Sequence, residues 1–223
     1  GCGVGDVSML AADAVGSHGS VVGIDHSDSA IKIARQRVRV GNLPNITFEE
    51  HNLNHLDLDE QFDAVVGRMI LSELSDPAQS LRRLVRLVRP GGLLIFQEAD
   101  LGSGQAFPQC SLFEQYQRWL VEASTVLNVD VDMGSKLYST FCKAGLSEPN
   151  LSCESEVIAG AMSKGYEWLV ENIRSLAPVI LERGIASEEM LNLDTLGDRL
   201  RDEVLTQGSV LHTQRYVGAW ARK

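Results

Sequence analysis

The chain has 223 residues, of which 44% are hydrophobic and 22% are charged, and its formal net charge is -10 at pH 7. This length and composition predict one globular domain with a full hydrophobic core. The acidic balance argues against a nucleic-acid or anionic-membrane partner, because both carry negative charge themselves. The sequence contains no apolar run of the roughly 18 residues that a membrane-spanning helix needs.

The chain contains four cysteines, Cys2, Cys110, Cys142 and Cys153. They are scattered without C-x-x-C spacing, which indicates free thiols in a reducing compartment, and we therefore expect a cytoplasmic protein. His51 and His55 are four positions apart, but no further ligands accompany them, so we expect no metal site.

The first feature in chain order is a glycine-rich turn, Gly1-Cys2-Gly3-Val4-Gly5-Asp6, followed by an amphipathic helix that stops at Gly16. Glycine lets the backbone turn tightly and approach a ligand closely. The helix that follows presents unpaired N–H groups and the positive end of its dipole at the same place. The next strand, residues 21–25, ends in Asp25, whose carboxylate can accept hydrogen bonds from both hydroxyls of a ribose. These features predict a nucleoside-binding site, with a plain N-cap as the alternative role for Asp25.

The spacing of the glycines separates two classes of cofactor. Dinucleotide-binding proteins use G-x-G-x-x-G, because a pyrophosphate sits on the helix N-terminus. Here the glycines read G-x-G-x-G, and Asp6 follows the last of them directly. Its carboxylate would repel a pyrophosphate at close range, so the spacing favours a ligand without phosphate.

The elements that follow alternate between helix and strand. Ser27 and Asp28 predict the cap of a second helix, and a short strand follows at residues 46–48. A polar loop then leads to a buried strand at residues 62–66. Asp76-Pro77 begins a third helix, and Arg89-Pro90-Gly91-Gly92 ends it before a strand at residues 93–97.

Four of these segments together resemble the class I S-adenosylmethionine-dependent methyltransferases. They are the glycine turn, Asp25, the F-D-A-V-V strand at 62–66 and the L-V-R-P-G-G-L-L-I-F segment at 87–96, and they span Gly1 to about Asp100 in the expected order. The resemblance implies an α/β, Rossmann-like, doubly wound fold with a mostly parallel seven-stranded sheet, a C-terminal antiparallel strand pair and a helical cap. It implies S-adenosyl-L-methionine as the cofactor, and a first strand that lies upstream of Gly1.

The resemblance also implies which residues contact the cofactor. These are Gly1, Cys2, Gly3, Gly5, Asp25, His26, Asn52, Leu53 and Arg68. Asn52 departs from the family pattern, in which an acid usually meets the adenine amino group, but an amide oxygen accepts the same bond. The next backbone N–H, of Leu53, is expected to meet a ring nitrogen.

Glu98 and Asp100 follow the strand whose end is nearest the acceptor in the resembling fold. Either acid is a candidate general base or a residue that orients the acceptor, and a solvated loop acid is the alternative. No histidine falls in the same loop, so the catalytic base is left unassigned.

The second half of the chain is mostly helical by its apolar period. We expect a helix at 111–127, a second one ending near 144–146, a strand at 151–158, helices through 163–207 and a closing strand at 213–221. One domain, residues 1–223, would bind the cofactor with residues 1–100 and cover the acceptor with a cap from residues 101–150 and 163–207. Trp119, Tyr166 and Trp168 either wall the acceptor site or pack the helices together.

The sequence therefore predicts S-adenosylmethionine-dependent methyl transfer to a small molecule, with no nucleic-acid or membrane partner. Two alternatives remain open. One is an NAD(P)-dependent oxidoreductase on a Rossmann sheet, and the other is a non-catalytic subunit that binds S-adenosylmethionine. The acceptor and the oligomeric state are not predicted.

Overall fold

The structure, a computed structural model, describes residues 1–56, Leu58 and residues 60–223. Its strands are β1 Val21–Asp25, β2 Ile46–Glu50, β3 Phe62–Arg68, β4 Val88–Asp100, β5 Gln105–Phe107, β6 Asn150–Glu154, β7 Val157–Ile158, β8 Val210–His212 and β9 Arg215–Arg222. Its helices are α1 Asp6–Val15, α2 Asp28–Gly41, α3 Pro77–Leu87, α4 Ser111–Val126, α5 Met133–Lys143, α6 Gly165–Glu182, α7 Glu188–Leu191 and α8 Leu193–Gln207.

The strands form three sheets. β1 and β2 are a parallel pair, and a mixed sheet has the order β3-β4-β9-β6, with β3 and β4 parallel and β9 antiparallel to both of its neighbours. The third sheet, β5-β8-β7, is antiparallel. The structure confirms a mixed α/β fold. The described residues do not form the single seven-stranded sheet that we expected, because β1 and β3 do not pair with each other across the space between them.

Local sequence signals fix the helix starts. The Ser27 hydroxyl accepts from the Ala30 N–H at α2, and the Asp76 carboxylate accepts from the Gln79 N–H at α3. These side chains satisfy N–H groups that have no partner within the helix. Both caps confirm the positions predicted for these helices.

Two strand predictions need correction. The segment 151–158 is not one strand, because β6 pairs with β9 whereas β7 pairs with β8 in another sheet. The R-P-G-G segment does not separate α3 from β4 as a free turn. It bulges out inside β4, where the pairing with β3 jumps from Val88 to Leu93.

The helices bury three hydrophobic cores. α1 and α2 pack on β1 and β2, while α3 and α5 pack on one face of the mixed sheet. α5 lies within residues 101–150, which we expected in the cap, but it contacts β4 and β9 instead. The helices α4, α6 and α8 form the third core, in which Trp119 and Tyr166 are each only 2% exposed. These two aromatic rings therefore pack the helices together.

All four cysteines lie within the described residues, and each carries a free thiol. In the same part of the chain, no helix combines the length and the apolar character needed to cross a membrane.

Candidate functional site

The glycine turn is tied to the end of β1. The Gly1 and Cys2 nitrogens both donate to the Ile24 carbonyl, at 2.7 and 2.8 Å. Gly3 and Gly5 have φ angles of 54° and 91°, which strain any residue with a side chain. A Cβ on Gly5 would lie 2.6 Å from the Phe48 ring, whereas one on Gly3 would meet no atom within 4 Å. Packing therefore requires glycine at position 5, while Gly3 leaves space over its backbone.

Asp25 holds this turn in place. Its Oδ2 accepts from the Gly3 N–H at 2.8 Å and its Oδ1 from the Ser27 N–H at 2.9 Å. Asp25 is 7% exposed, and burial raises its pKa, but the bonds from Ser27 and Gly3 outweigh this and leave the pKa below its usual value. Ser27 rather than Asp25 caps α2. The N-cap alternative for Asp25 therefore does not hold.

Two further predicted cofactor residues follow β2 in the chain, and their loop lies beside Asp25. The His51 N–H donates to the Asp25 carbonyl at 2.9 Å, which brings the following residues to the end of β1. Asn52 is exposed and Leu53 is partly buried at the start of a short 3-10 turn. The His51 ring lies 3.0 Å from the Glu49 carboxylate.

His26 and Arg68 flank the turn on either side. The His26 ring is exposed, and its Nδ1 lies 3.6 Å from Asp25 Oδ1. Arg68 ends β3 with an exposed side chain, and the chain then bends at Met69, whose φ is 53°. A Cβ on Gly1 would lie 2.3 Å from the Ile70 side chain, so the segment after β3 touches the glycine turn. The structure thus gathers the predicted cofactor residues around one edge of the fold.

Glu98 is fully buried and supports the segment after β3. Its Oε1 accepts from the Ile70 N–H at 2.9 Å and from the Leu71 N–H at 2.7 Å, and its Oε2 accepts from the Ser72 N–H at 3.4 Å. Burial raises the pKa of this carboxyl, and the backbone hydrogen bonds oppose the rise only in part. Backbone N–H groups therefore already bind both oxygens of this buried carboxyl.

Asp100 is also buried, with 3% of its surface exposed. Its Oδ1 accepts from the Ser135 N–H at 2.7 Å and its Oδ2 from the Ser135 hydroxyl at 2.6 Å. Arg215 lies 3.3 Å from Oδ2. Asp100 therefore meets the N-terminal turn of α5, where a carboxylate is favourable. It is not the solvated loop acid that the sequence left open.

A cavity of about 1000 Å³ opens beside the turn and runs between β1 and β3. Its lining extends from the glycine turn at one end to Gly19 and Phe62 at the other. The cavity therefore follows the full length of two strand edges, and only its end at the turn coincides with the predicted cofactor residues.

A polar cluster that the sequence did not indicate lies where α4 and α6 meet the sheet. The Gln214 amide donates to the Tyr216 hydroxyl at 2.8 Å, and the Asn172 amide donates to the Tyr116 hydroxyl at 3.4 Å. Burial raises the pKa of both tyrosines. The only signal in the sequence is a glutamine and a tyrosine two positions apart at the predicted closing strand, which places both on one side of it.

A protein-family model described as a methyltransferase domain matches residues 1–145. The chain therefore belongs to the methyltransferase-domain family, and its resemblance to class I S-adenosylmethionine-dependent methyltransferases is confirmed. It is 31% identical over 113 residues to a demethylmenaquinone methyltransferase of Shouchella clausii, which covers 50% of this chain and 48% of the relative. The chain thus spans about half the length of the curated relatives it matches.

Two solved structures share the fold over the whole chain. One is Haemonchus contortus phosphoethanolamine N-methyltransferase 2, in complex with phosphomonomethylethanolamine and S-adenosylhomocysteine. Its TM-score is 0.58 at 16% identity, and the match covers 100% of this chain and 48% of that one. The other is the cyclase SpnF, with a TM-score of 0.58 at 19% identity, covering 100% of this chain and 72% of that one. At such identities the likeness establishes the fold alone.

Proposed function

We propose that this chain binds S-adenosylmethionine and transfers its methyl group to a small-molecule acceptor. The observation that carries the proposal is the link between Gly3 and Asp25. The Gly3 backbone lies just before α1 and has open space over it. Its N–H is held 2.8 Å from the buried, ionised carboxylate of Asp25. A nucleoside needs this combination of close backbone approach and a hydroxyl acceptor. Asp6 at the first position of α1 disfavours a phosphate there, and its ion pair with Arg37 at 2.8 Å weakens this repulsion.

The proposed cofactor contacts divide by chemistry. Each Asp25 oxygen accepts one backbone bond, and a carboxylate oxygen has a second lone pair that remains for a ribose hydroxyl. The His26 ring lies next to Asp25, with its Nδ1 3.6 Å from Oδ1. Asn52 and Leu53 offer an amide side chain and a backbone N–H to the adenine. We assign the remainder of the cofactor to Gly1, Cys2, Gly3, Gly5 and Arg68.

When bound, S-adenosylmethionine supplies an electrophilic methyl group, so an acceptor lone pair forms the new bond while the carbon–sulfur electrons stay on sulfur. The chain itself has to position the acceptor and exclude water. Glu98 and Asp100 are positioning residues in this scheme, because donors of the protein already occupy both carboxylates. Glu98 fixes the segment after β3 against Gly1, and Asp100 fixes α5.

We also propose which parts of the chain bind the cofactor and which cover the acceptor. Residues 1–100 carry the cofactor contacts, and the helices α4, α6 and α8 cover the acceptor. Ala99, near the end of β4, and Leu101, directly after that strand, belong to the same hydrophobic core as these helices. This shared core attaches the helical cover to the carboxyl end of β4, where the acceptor has to lie. We therefore expect a small-molecule acceptor under this cover.

We propose further that one more parallel strand fills the cavity between β1 and β3. Both strands present an edge to the cavity that has no strand partner among residues 1–56, 58 and 60–223. Unpaired backbone groups inside a domain are costly, so such edges are normally paired. One added strand would join the two sheets into seven strands in the order β2-β1-x-β3-β4-β9-β6.

Amide hydrogen exchange tests the added strand. In the chain of residues 1–223, we expect rapid exchange for the β1 and β3 amides that face the cavity. If the gene encodes residues before Gly1, a protein extended by them should protect these amides. Unchanged exchange after the extension would contradict the added strand. It would not contradict the proposed cofactor site.

A matched pair of glycine substitutions tests the cofactor site. Gly3 and Gly16 both have positive φ, 54° and 68°, and a Cβ on either would meet no protein atom within 4 Å. Alanine should lower the free energy of unfolding at both positions, by about 1–2 kcal/mol at Gly3 and by about 1–3 kcal/mol at Gly16, whose ψ of -169° lies in a region that is essentially restricted to glycine. Only Gly3→Ala should raise the dissociation constant of S-adenosylhomocysteine, by about tenfold or more, because its methyl group enters the ligand space.

Isothermal titration calorimetry supplies the measurement. Equal affinities in the two variants would overturn the placement of the cofactor over Gly3. Heat with NAD and none with S-adenosylhomocysteine would favour an oxidoreductase instead. Tight binding of S-adenosylmethionine, without labelled methyl transfer to any compound of a metabolite extract, would favour the non-catalytic subunit.

A further inference from the structure

Gln214 carries a buried polar atom without a partner. The residue is only 4% exposed, and its Nε2 donates to the Tyr216 hydroxyl at 2.8 Å. Its Oε1 has no hydrogen-bond partner within the described part of the chain. Folded proteins keep few such atoms, because an acceptor removed from water loses its hydration without replacement. The position of this oxygen therefore needs an explanation.

Gln214 lies directly before β9, at the edge of the mixed sheet where the cofactor residues gather. Tyr216 pairs with Ala99 of β4, and Arg68 of β3 pairs with Gln97. Because side chains alternate along a strand, Arg68, Ala99 and Tyr216 lie on one face of the sheet. α3 and α5 cover the opposite face.

Two further contacts place this face under the helical cover. Met69 and Tyr216 both pack against the core of α4, α6 and α8. The Arg68 guanidinium is close enough to oppose the rise in the Tyr216 pKa that burial causes. Tyr216, which binds Gln214, thus lies under the cover on the same sheet face as Arg68 of the proposed cofactor site.

The two side chains together offer an unused acceptor, Oε1 of Gln214, and an unused hydroxyl donor, Tyr216. Since Nε2 of Gln214 donates to the Tyr216 oxygen, the hydroxyl proton of Tyr216 is free to donate elsewhere, and Oε1 of Gln214 is free to accept. A ligand hydroxyl both donates and accepts, so it satisfies both atoms at once. A methyl ether can accept but cannot donate.

We propose that Gln214 and Tyr216 bind a hydroxyl group of the methyl acceptor, beside Arg68. The proposal rests on the proposed methyltransferase function and narrows its substrates to hydroxylated small molecules. The nearby guanidinium stabilises partial negative charge on that hydroxyl oxygen. Gln214 acts here as a binding residue, and no proton transfer is assigned to it.

The experiment compares 1-naphthol with 1-methoxynaphthalene, and phenol with anisole, as probes on protein saturated with S-adenosylhomocysteine. Saturation-transfer NMR measures binding to the wild type, Gln214→Leu and Ser80→Ala. Ser80 is a matched control, because its hydroxyl is also buried without a partner among the described residues, but it lies in α3 beneath the opposite sheet face. We expect hydroxyl probes to bind the wild type and Ser80→Ala, with about tenfold weaker binding to Gln214→Leu. The methyl ethers should bind weakly to all three proteins.

The readouts separate the possible failures. A merely structural role for Gln214 would weaken S-adenosylhomocysteine binding as well, which calorimetry on the same variant detects. Equal binding of hydroxyl and ether probes, unchanged naphthol binding in Gln214→Leu, or no probe binding to the S-adenosylhomocysteine-bound wild type would overturn the proposal. If S-adenosylhomocysteine itself fails to bind the wild type, the proposed function fails first.

Discussion

Asp25→Asn is the substitution that best separates the two roles of this carboxylate. Aspartate accepts from the Gly3 and Ser27 N–H groups, one at each oxygen. Asparagine keeps one oxygen and replaces the other with an NH2 group, which cannot accept from an N–H. One charge-assisted bond is lost and the other is weakened, so the free energy of unfolding should fall by about 1.5–3 kcal/mol. The lost acceptor for a ribose hydroxyl should raise the dissociation constant of S-adenosylhomocysteine by about 10- to 100-fold.

Urea unfolding and calorimetric titration at pH 7 measure these two effects separately. Asp28→Asn is the control, because Asp28 is an exposed acid three positions away whose carboxylate pairs with Lys32 at 2.6 Å. Its removal should leave the cofactor affinity unchanged. A wild-type dissociation constant in Asp25→Asn would refute the ribose role, even if the stability falls as expected.

The pH dependence of stability gives an independent check on Asp25. Its pKa in the folded chain is lowered from 3.8, because the bonds from Ser27 and Gly3 outweigh the effect of burial. A carboxyl with a lowered folded pKa stabilises the fold above its unfolded pKa, and this contribution disappears as the pH falls through the folded pKa. The stability difference between the wild type and Asp25→Asn should therefore be full at pH 7 and shrink below about pH 4.

Urea unfolding tests two further acids, the buried Glu98 and the partly buried Glu203. Glu98→Ala leaves two strong backbone donors without an acceptor and should cost roughly 2–6 kcal/mol, whereas Glu98→Gln keeps an oxygen for both. Because burial raises the Glu98 pKa above its usual 4.5, the wild type should lose stability relative to Glu98→Gln as the pH rises from 4.5 through the raised value, and a pH-independent difference would contradict this. Glu203 accepts from the Ser111 and Leu112 N–H groups at the start of α4, so Glu203→Ala should cost about 1–2 kcal/mol. The exposed Glu122→Ala on the same helix is the control, and equal midpoints for the two would show that the cap contributes nothing.

Local signals in the sequence predicted the elements that local physics determines. Asp76-Pro77 and Ser27 mark helix starts through hydrogen bonds to residues three positions on, and these bonds are present. Gly16 ends α1 with a positive φ. The three-residue strands β5 and β8 were missed, because so short a segment has no readable period and forms only where a distant partner pairs with it. The break between β6 and β7 has the same origin.

The hydrogen bonds that connect the candidate site residues could not be predicted from the sequence. The glycine turn and Asp25 were expected to lie together, since each follows from its own segment. The N–H bond from Gly3 to Asp25 joins two segments, and no pattern within either one specifies it. Glu98 and Asp100 were read as candidates for chemistry because the sequence does not show which distant backbone will cover a carboxylate. The Ile70 N–H binds Glu98, and the Ser135 N–H in α5 binds Asp100.

The placement of β9 has a consequence for how the molecule is made. This strand lies between β4 and β6 in the sheet, yet it follows both of them in the chain, beginning only at Arg215. During translation, the inner edges of β4 and β6 stay exposed until the ribosome has released residues up to about Arg222. Open strand edges of this kind recruit other chains, so the growing polypeptide is prone to aggregation from the completion of β4 at Asp100 until β9 emerges.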